Sequence, residues 1–321
     1  MDKILVTGGS GFIGSNYIHY VLEHHPRFFV VNLDKLTYAS NKNNLRDLEN
    51  LPNYQFIHGD ICSKEIVDLV VKGCDAVVNF AAESHVDRSI ESPDAFIQTN
   101  IVGTEVLLDA CVKHNKRFHH ISTDEVFGSL PLEGNKLFYE DTNYDPSSPY
   151  SASKASSDHL VRAYHRTYGL ETTITNCSNN YGRFQYPEKL IPKTIIHAIE
   201  DKKIPVYGNG KNVRDWVHVE DHCFAIDKVL HEGMIGETYL VGGNAEETNL
   251  NIVKAILKLL DKSEDLIEYV EDRKGHDLRY GIDSSKIEKD LSWFRRYNLK
   301  SGLKDTVNWY KKNQYWWRKL K

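Results

Sequence analysis

Lys3-Ile4-Leu5-Val6-Thr7-Gly8-Gly9-Ser10-Gly11-Phe12-Ile13-Gly14 runs from a short apolar stretch through a glycine turn into a helical pattern that lasts to about His24. The first five residues read as a buried strand. The glycines at 8, 11 and 14 follow Gly-x-x-Gly-x-x-Gly, a variant of the dinucleotide fingerprint. Without side chains, Gly8 and Gly11 permit a tight turn and close approach of the backbone to a pyrophosphate, while Gly14 lets helix and strand pack together. Phe12 and Ile13 open the helix, whose free N–H groups and positive end face the phosphates. A glycine pattern alone is often only a turn; this one follows a strand and opens a helix.

The next strand, Phe29–Leu33, leads into Asp34, twenty residues beyond Gly14. A carboxylate there accepts hydrogen bonds from ribose hydroxyls and repels a 2′-phosphate, which favours NAD over NADP. Lys35 and Thr37 follow without an arginine clamp. Further strands are expected at Tyr54–His58, Ala76–Phe80, Arg117–Ser122 and Glu171–Asn176. Helices are expected near Lys64–Val71, from Pro93 to His114 and from Tyr150 to Tyr168, where Gly169 stops the last of them. This alternation predicts an α/β fold, a doubly wound parallel Rossmann-type sheet covered on both faces. Asp60-Ile61 and Ala81-Ala82-Glu83-Ser84-His85 fall at strand ends, where such sheets hold ligands. Asp60 suits the adenine amine, and the second loop passes beside ribose and nicotinamide; each alone is an ordinary strand-end turn.

Chemistry concentrates in Ser122-Thr123-Asp124-Glu125 and Tyr150-Ser151-Ala152-Ser153-Lys154. Four residues apart on a helix, Tyr150 and Lys154 share a face. An ammonium beside a phenol is expected to lower its pKa from about 10, making Tyr150 a proton acceptor for an alcohol. The bland reading is helix surface and a polar turn, and the spacing Tyr-x-x-x-Lys is weak on its own.

After residue 176 the alternation weakens. Cys177–Lys189 carries Asn179, Asn180, Tyr181, Arg183 and Tyr186, a polar-aromatic segment suited to a sugar or base. Ile191–Glu200 reads as a helix and Pro205–Gly210 as a turn. Val213–Trp216 leads to a helix near Glu220–His231, Thr238–Val241 is a strand, and three helices follow. The expected division is a NAD-binding domain at 1–176, with return segments near 210–235, and a smaller mixed α/β substrate domain at 177–321. The aromatic tail Tyr315-Trp316-Trp317 suits packing or an exposed end rather than a cofactor box.

Composition narrows the classes. In 321 residues, 40% are hydrophobic and 26% charged, an ordinary globular balance; the net charge of −5 provides no attraction to nucleic acid or an anionic membrane. No run long enough to span a membrane and no secretory signal is read. Five scattered cysteines without Cys-x-x-Cys favour free thiols and a cytoplasmic location. His218 and His222 have helical spacing, but they lack His-Glu-x-x-His, and Glu220 and Asp221 suit a helix start; no metal is expected.

Gly8–Gly14, Asp34, Tyr150 and Lys154 together resemble the extended short-chain dehydrogenases/reductases that act on nucleotide sugars. Asn32–Ala39, Thr123–Gly128, Pro187–Pro192, Arg214–His222 and Asp272–Asp277 narrow the resemblance to the 4,6-dehydratases of that family, whose substrate is dTDP-glucose. Ser40, Arg183 and Lys274 depart from the family pattern.

The resemblance implies tightly held NAD and a redox cycle without net oxidation. Tyr150, with Lys154 and Thr123, deprotonates the glucose 4-hydroxyl; Glu125 takes the C5 proton and Asp124 protonates the departing C6 hydroxyl. It places Lys154 on the nicotinamide ribose and Asn180 at the cofactor. Ser84, His85, Thr123, Asn179, Lys189, Leu190, Pro205, Tyr207, Arg214, Asn249, Arg273 and His276 are assigned to the nucleotide sugar, with the two arginines as diphosphate ligands. It also implies a homodimer joined through helices Pro93–His114 and Tyr150–Tyr168. Rival readings are a UDP- or GDP-sugar dehydratase, a 4-epimerase, or an NAD-binding regulator without turnover. The two carboxyls after Thr123 argue against the last, because dinucleotide binding needs neither.

Overall fold

The computed structural model describes residues 1–320. In β1 (Lys3–Thr7), Leu5 enters the core on one face of the sheet, and Ile4 and Val6 enter the core on the other. This is the period-two alternation of a strand buried on both sides. The first half continues with α1 (Phe12–His24), β2 (Phe29–Asp34), β3 (Tyr54–His58), α2 (Lys64–Lys72), β4 (Ala76–Asn79) and α3 (Val86–Glu91). Then come α4 (Asp94–Phe96), a π-helical turn at Ile97–Val102, α5 (Gly103–His114), β5 (Arg117–Thr123), α6 (Pro149–Tyr168) and β6 (Thr172–Cys177). Beyond lie β7 (Asn179–Tyr181), α7 (Leu190–Ile199), β8 (Ile204–Tyr207), β9 (Val213–His218), α8 (Val219–Glu232), β10 (Thr238–Val241) and β11 (Glu246–Thr248). The chain closes with α9 (Asn249–Leu260), β12 (Ile267–Val270), α10 (Ser285–Leu291), α11 (Leu299–Lys312) and α12 (Gln314–Arg318).

Seven parallel strands form the main sheet in the order β10-β6-β5-β4-β1-β2-β3. This is the doubly wound Rossmann arrangement expected above. The order reverses between β1 and β4, so their carboxyl ends open the crevice where such sheets bind ligands. Val67, Val71, Leu107 and Cys111 cover one face with Leu5; Ile18, Val219, Cys223 and Ile226 cover the other with Ile4 and Val6. The remaining strands make a three-stranded sheet, β11-β9-β7, and a pair, β12-β8.

Three expectations change. Pro205–Gly210 is not simply a turn: Ile204–Tyr207 pairs in parallel with Ile267–Val270. Val213–His218 is a full strand at the centre of the small sheet. These pairings join strands of three to six residues that lie far apart in sequence, too short for periodicity to reveal. The helix drawn from Pro93 to His114 is interrupted by the π-helical turn, which places Asn100 in the interior. There Asn100 accepts from Glu83 N at 2.9 Å and donates to Glu83 O at 3.0 Å and Ser153 Oγ at 2.8 Å, tying the loop after β4 to α6. By length and composition Asp94–His114 would reach across a membrane; half of its apolar window is buried in the protein.

The aromatic tail divides. Trp316 and Trp317 are buried in a core with Tyr181, Trp216, Ile252, Val307 and Tyr310, whereas Tyr315 is exposed. Trp316 Nε1 donates to Asn44 Oδ1 at 2.8 Å, pinning the tail to the segment after β2.

Candidate active site

The glycine turn is shaped by what a side chain would strike. Gly8 has φ +65°, and a Cβ there would lie 2.7 Å from the Ala81 backbone nitrogen. A Cβ on Gly14 would lie 2.5 Å from Gly8 O, so α1 can sit this close to β1 only with glycine at its first turn. Asp34 ends β2 beside this turn. Its carboxylate accepts from Ser10 N at 2.8 Å, Leu36 N at 2.7 Å and Ser40 Oγ at 2.9 Å. Three of roughly four acceptor positions are filled, leaving room for a ribose hydroxyl. Ser40 therefore steadies Asp34. Lys35 turns to Asp60, with Nζ 2.7 Å from Oδ2.

One cleft of about 300 Å³ runs along the carboxyl ends of the main sheet. Every residue assigned above to the cofactor lines it, from Gly8 to Asn180, and so do Thr123, Asp124, Glu125, Tyr150 and Lys154. Local structure explains how these last five converge. Thr123 ends β5, and its Oγ1 accepts from Glu125 N at 3.3 Å, starting a short 3₁₀ turn that presents both carboxyls. Tyr150 lies in the first turn of α6, set by Pro149 and by a reciprocal cap in which Ser148 and Ser151 bond each other's backbone N–H groups.

The two carboxyls face different surroundings. Asp124 is buried, and its Oδ2 has no hydrogen-bond partner. Burial, then the nearby Glu125 and Asp215 carboxylates, push its pKa well above the usual range. Glu125 is partly exposed to the cleft. Its pKa is also raised, first by desolvation, but Arg214 and Lys189 pull against the rise. The phenol behaves differently from the sequence expectation. Burial and then Glu125 push Tyr150 well up, with Thr123 opposing through a hydrogen bond. Lys154 Nζ instead donates to Ile121 O at 2.7 Å and lies 3.2 Å from His120 Nε2, so its hydrogen bonds are spent on β5 rather than on the phenol.

The residues assigned to the nucleotide sugar separate into two groups. Ser84, Thr123, Asn179 and Lys189 line the cleft, and Lys189 Nζ donates to Ser84 O at 3.0 Å. His85, with Nε2 3.6 Å from Glu188 Oε2, and Leu190, the first residue of α7, adjoin it. A second cluster joins the C-terminal loop to α3: Arg273 pairs with Asp87, with Nε 2.5 Å from Oδ1, and lies over Tyr207, which meets His276 edge to face. Arg214 lies 4.2 Å over the Tyr280 ring and donates to Asp277 O at 3.0 Å. Glu125 feels Arg214, Lys189 and Arg273, so this cluster acts electrostatically on the carboxyl end of the cleft. Pro205 pairs with Glu268 between β8 and β12, and Asn249 N donates to Asn212 O; neither lines the cleft. Arg183 Nε donates to Asn16 Oδ1 at 2.7 Å on α1, away from the position near the sugar pocket expected of it.

A family profile described as GDP-mannose 4,6 dehydratase matches residues 5–306. The dTDP-glucose 4,6-dehydratase of Neisseria meningitidis serogroup B is 51% identical, over 100% of this chain and 96% of that protein. This chain belongs to the dTDP-glucose 4,6-dehydratase family. A crystal structure of the dTDP-glucose 4,6-dehydratase from Bacillus anthracis in complex with NAD is 48% identical, with a TM-score of 0.93 and full coverage of both chains. The dTDP-glucose 4,6-dehydratase of Streptomyces venezuelae, crystallised with NAD and dTDP bound, is 45% identical with a TM-score of 0.97, over 99% of this chain and 100% of that one.

Within a 4,6-dehydratase family member, the cradle fits a dinucleotide because backbone, rather than side chains, walls the turn at Gly8 and Gly14. Sequence reasoning passed over several cleft residues. Cys177, Ser178, Gln185 and Glu188 line it; all four fall within the Cys177–Lys189 segment, but none was singled out there. Asn100 and Asp87 escaped because their importance lies in partners on other elements, Glu83 and Arg273. His222 Nδ1 lies 2.9 Å from Asn180 Oδ1, and His218 stacks 3.8 Å from Tyr297, so each ring has its own structural neighbour.

Proposed function

We propose that this chain is an NAD-dependent dTDP-glucose 4,6-dehydratase, a hydro-lyase that converts dTDP-glucose to dTDP-4-dehydro-6-deoxyglucose and water. The observation that carries the reading is the placement of Asp124 and Glu125, with Thr123 and Tyr150, in the cleft that begins at the glycine cradle. Simple oxidation of an alcohol needs the phenol; elimination of water needs an acid and a base as well.

When bound, NAD⁺ takes the C4 hydride and later returns it to C6, so the sugar is rearranged without net oxidation. Tyr150 accepts the O4 proton, its phenolate favoured by the positive charge that NAD⁺ would bring to a site where burial and Glu125 otherwise raise the phenol, with Thr123 bridging toward Asp124 and Lys154 behind. The 4-ketone acidifies the C5 proton, which Glu125 removes. Asp124, kept protonated by burial and by its acidic neighbours, delivers a proton to O6 as water leaves. Glu125 then returns its proton to C5. Lys189, Arg214 and Arg273 supply positive charge for the diphosphate. Residues 1–176 serve the dinucleotide and 177–321 the sugar nucleotide, with α8 and β10 returning to the main sheet. The five free thiols suit a cytoplasmic enzyme, and the family resemblance supports a homodimer joined through the Pro93–His114 stretch and the Tyr150–Tyr168 helix.

Incubation with dTDP-glucose, read by mass spectrometry, tests the assignment: a 4-keto-6-deoxy nucleotide sugar lighter by one water is expected. An isomer of unchanged mass would make the chain a 4-epimerase, and preferential turnover of UDP- or GDP-glucose would reassign the base. Dinucleotide binding without any product would leave a regulator.

A further inference from the structure

Tyr150 and Lys154 occupy one face of α6, and the same face continues to Asp158. Asp158 is fully buried, and no step above uses it. A buried carboxyl is costly unless its surroundings satisfy it, so its partners reveal its role. Oδ2 accepts from Ser122 Oγ at 2.9 Å, Tyr144 OH at 2.7 Å and Asn176 Nδ2 at 3.1 Å. Three donors from three different segments hold the carboxylate in one orientation. Asn176 Nδ2 also donates to Thr123 O at 3.0 Å, and Tyr144 OH accepts from Arg162 Nη2 at 2.8 Å. Oδ1 has no hydrogen bond and lies 3.5 Å from His120 Nε2. The same ring nitrogen lies 3.2 Å from Lys154 Nζ and 3.1 Å from Ser157 Oγ. The carboxylate and the ammonium thus flank one buried imidazole.

We propose that Asp158 is the positioning residue for Lys154, a fixed counter-charge one helical turn away that, with His120, keeps the ammonium charged and in place at the cleft. The proposal rests on the dehydratase reading but reaches a residue outside the reacting set. Lys154 faces Asp158 from its own helix, His120 from β5 and Cys177 from β6. Burial lowers its pKa, Asp158 and then Cys177 oppose the fall, and the net value is about 8. His120 adds no competing charge, because burial, Lys154 and His119 hold its pKa well below the usual value. The sign follows. Without the carboxylate, Lys154 loses its proton at lower pH, and a larger share of it is neutral near pH 7.

Asp158→Asn keeps the shape and removes the charge. In the holoenzyme, the alkaline limb of its kcat/KM profile with dTDP-glucose should move down by roughly one pH unit relative to wild type. Labelling of Lys154 by a small acylating reagent, followed by mass spectrometry across pH, should shift by the same amount. That second readout needs no turnover, so an inactive wild type would sink the dehydratase reading without touching this one. Tyr144→Phe, which removes one donor to Asp158, should shift both curves the same way by less, and it serves if Asp158→Asn does not fold. Loss of activity by one factor at every pH, with labelling unmoved, would make Asp158 merely structural and overturn the proposal.

Discussion

Asp124 and Glu125 are neighbours in the chain, yet different charges face them. Asp124 is buried against acidic groups, and Glu125 looks into the cleft toward Arg214 and Lys189. That difference allows one carboxyl to hold a proton while the other accepts one. Glu125→Gln should permit oxidation at C4 but not removal of the C5 proton. Reduced nicotinamide should accumulate, seen by its absorbance, while product formation falls by about 10²-fold or more. Product at the wild-type rate would remove Glu125 from its role. At this scale the residue types and their spacing were legible in the sequence. The behaviour of Tyr150 was not, because the partners of Lys154 come from β5 and were invisible in the Tyr-x-x-x-Lys motif.

Elements succeed here by close approach. A Cβ at residue 14 would meet backbone of Gly8 and Gly9, and backbone cannot swing aside as a side chain can. Gly14→Ala should therefore displace the start of α1, cost about 1–3 kcal/mol and weaken NAD binding by at least about tenfold, measured by titration calorimetry. An unchanged affinity would mean the turn does not depend on that contact. The other end of α1 is latched to α8: His25 Nε2 and His231 Nδ1 lie 2.9 Å and 3.3 Å from Asp227 Oδ1. The Asp227 hydrogen bond raises the His231 pKa against burial. For Asp227, burial pushes up, but His231 and His25 bring the net value below the usual one. The raised histidine stabilises fully below its unfolded pKa of about 6.5, and this is lost as pH rises through the folded value. The depressed carboxylate stabilises above its unfolded pKa of about 3.9, and this is lost as pH falls through the folded value. Asp227→Asn should thus lower Tm most between about pH 4 and pH 6.5 and least in alkali; a constant difference across pH would deny the latch. The helices and sheet strands of the first half were readable because each carries its own period. The π-helical turn was not, since it answers to Asn100 gripping another loop.

Across the whole molecule, the cleft has two walls, and the second depends on a distinct core. Trp317 is fully buried there, and its Nε1 donates to Tyr310 O at 3.0 Å. Trp317→Ala should cost about 3–5 kcal/mol, visible as a lower denaturant midpoint, and should weaken nucleotide-sugar binding more than NAD binding. Equal stability would show that the tail is dispensable. The three-stranded sheet built on β9 positions Arg214, and the loop after β12 positions Arg273, close enough for both to act on Glu125. Their arrival depends on pairings between short strands far apart in sequence, so the charged half of the site became clear only in three dimensions.

The chain by itself determined the Rossmann-type sheet, the glycine cradle with Asp34, and the placing of Tyr150 and Lys154 on one helix face, while their grouping with Thr123, Asp124 and Glu125 came from the family resemblance. These are local signals: strand alternation, a turn only glycine can make, and side chains one helical turn apart. Tertiary structure alone decided which acid sits among acids, what Lys154 grips, how Asn100 and Asp158 brace the elements behind the cleft, and how Arg214 and Arg273 come to act on Glu125. Electrostatic environment and long-range pairing depend on distance in space, and no short window of sequence encodes that distance.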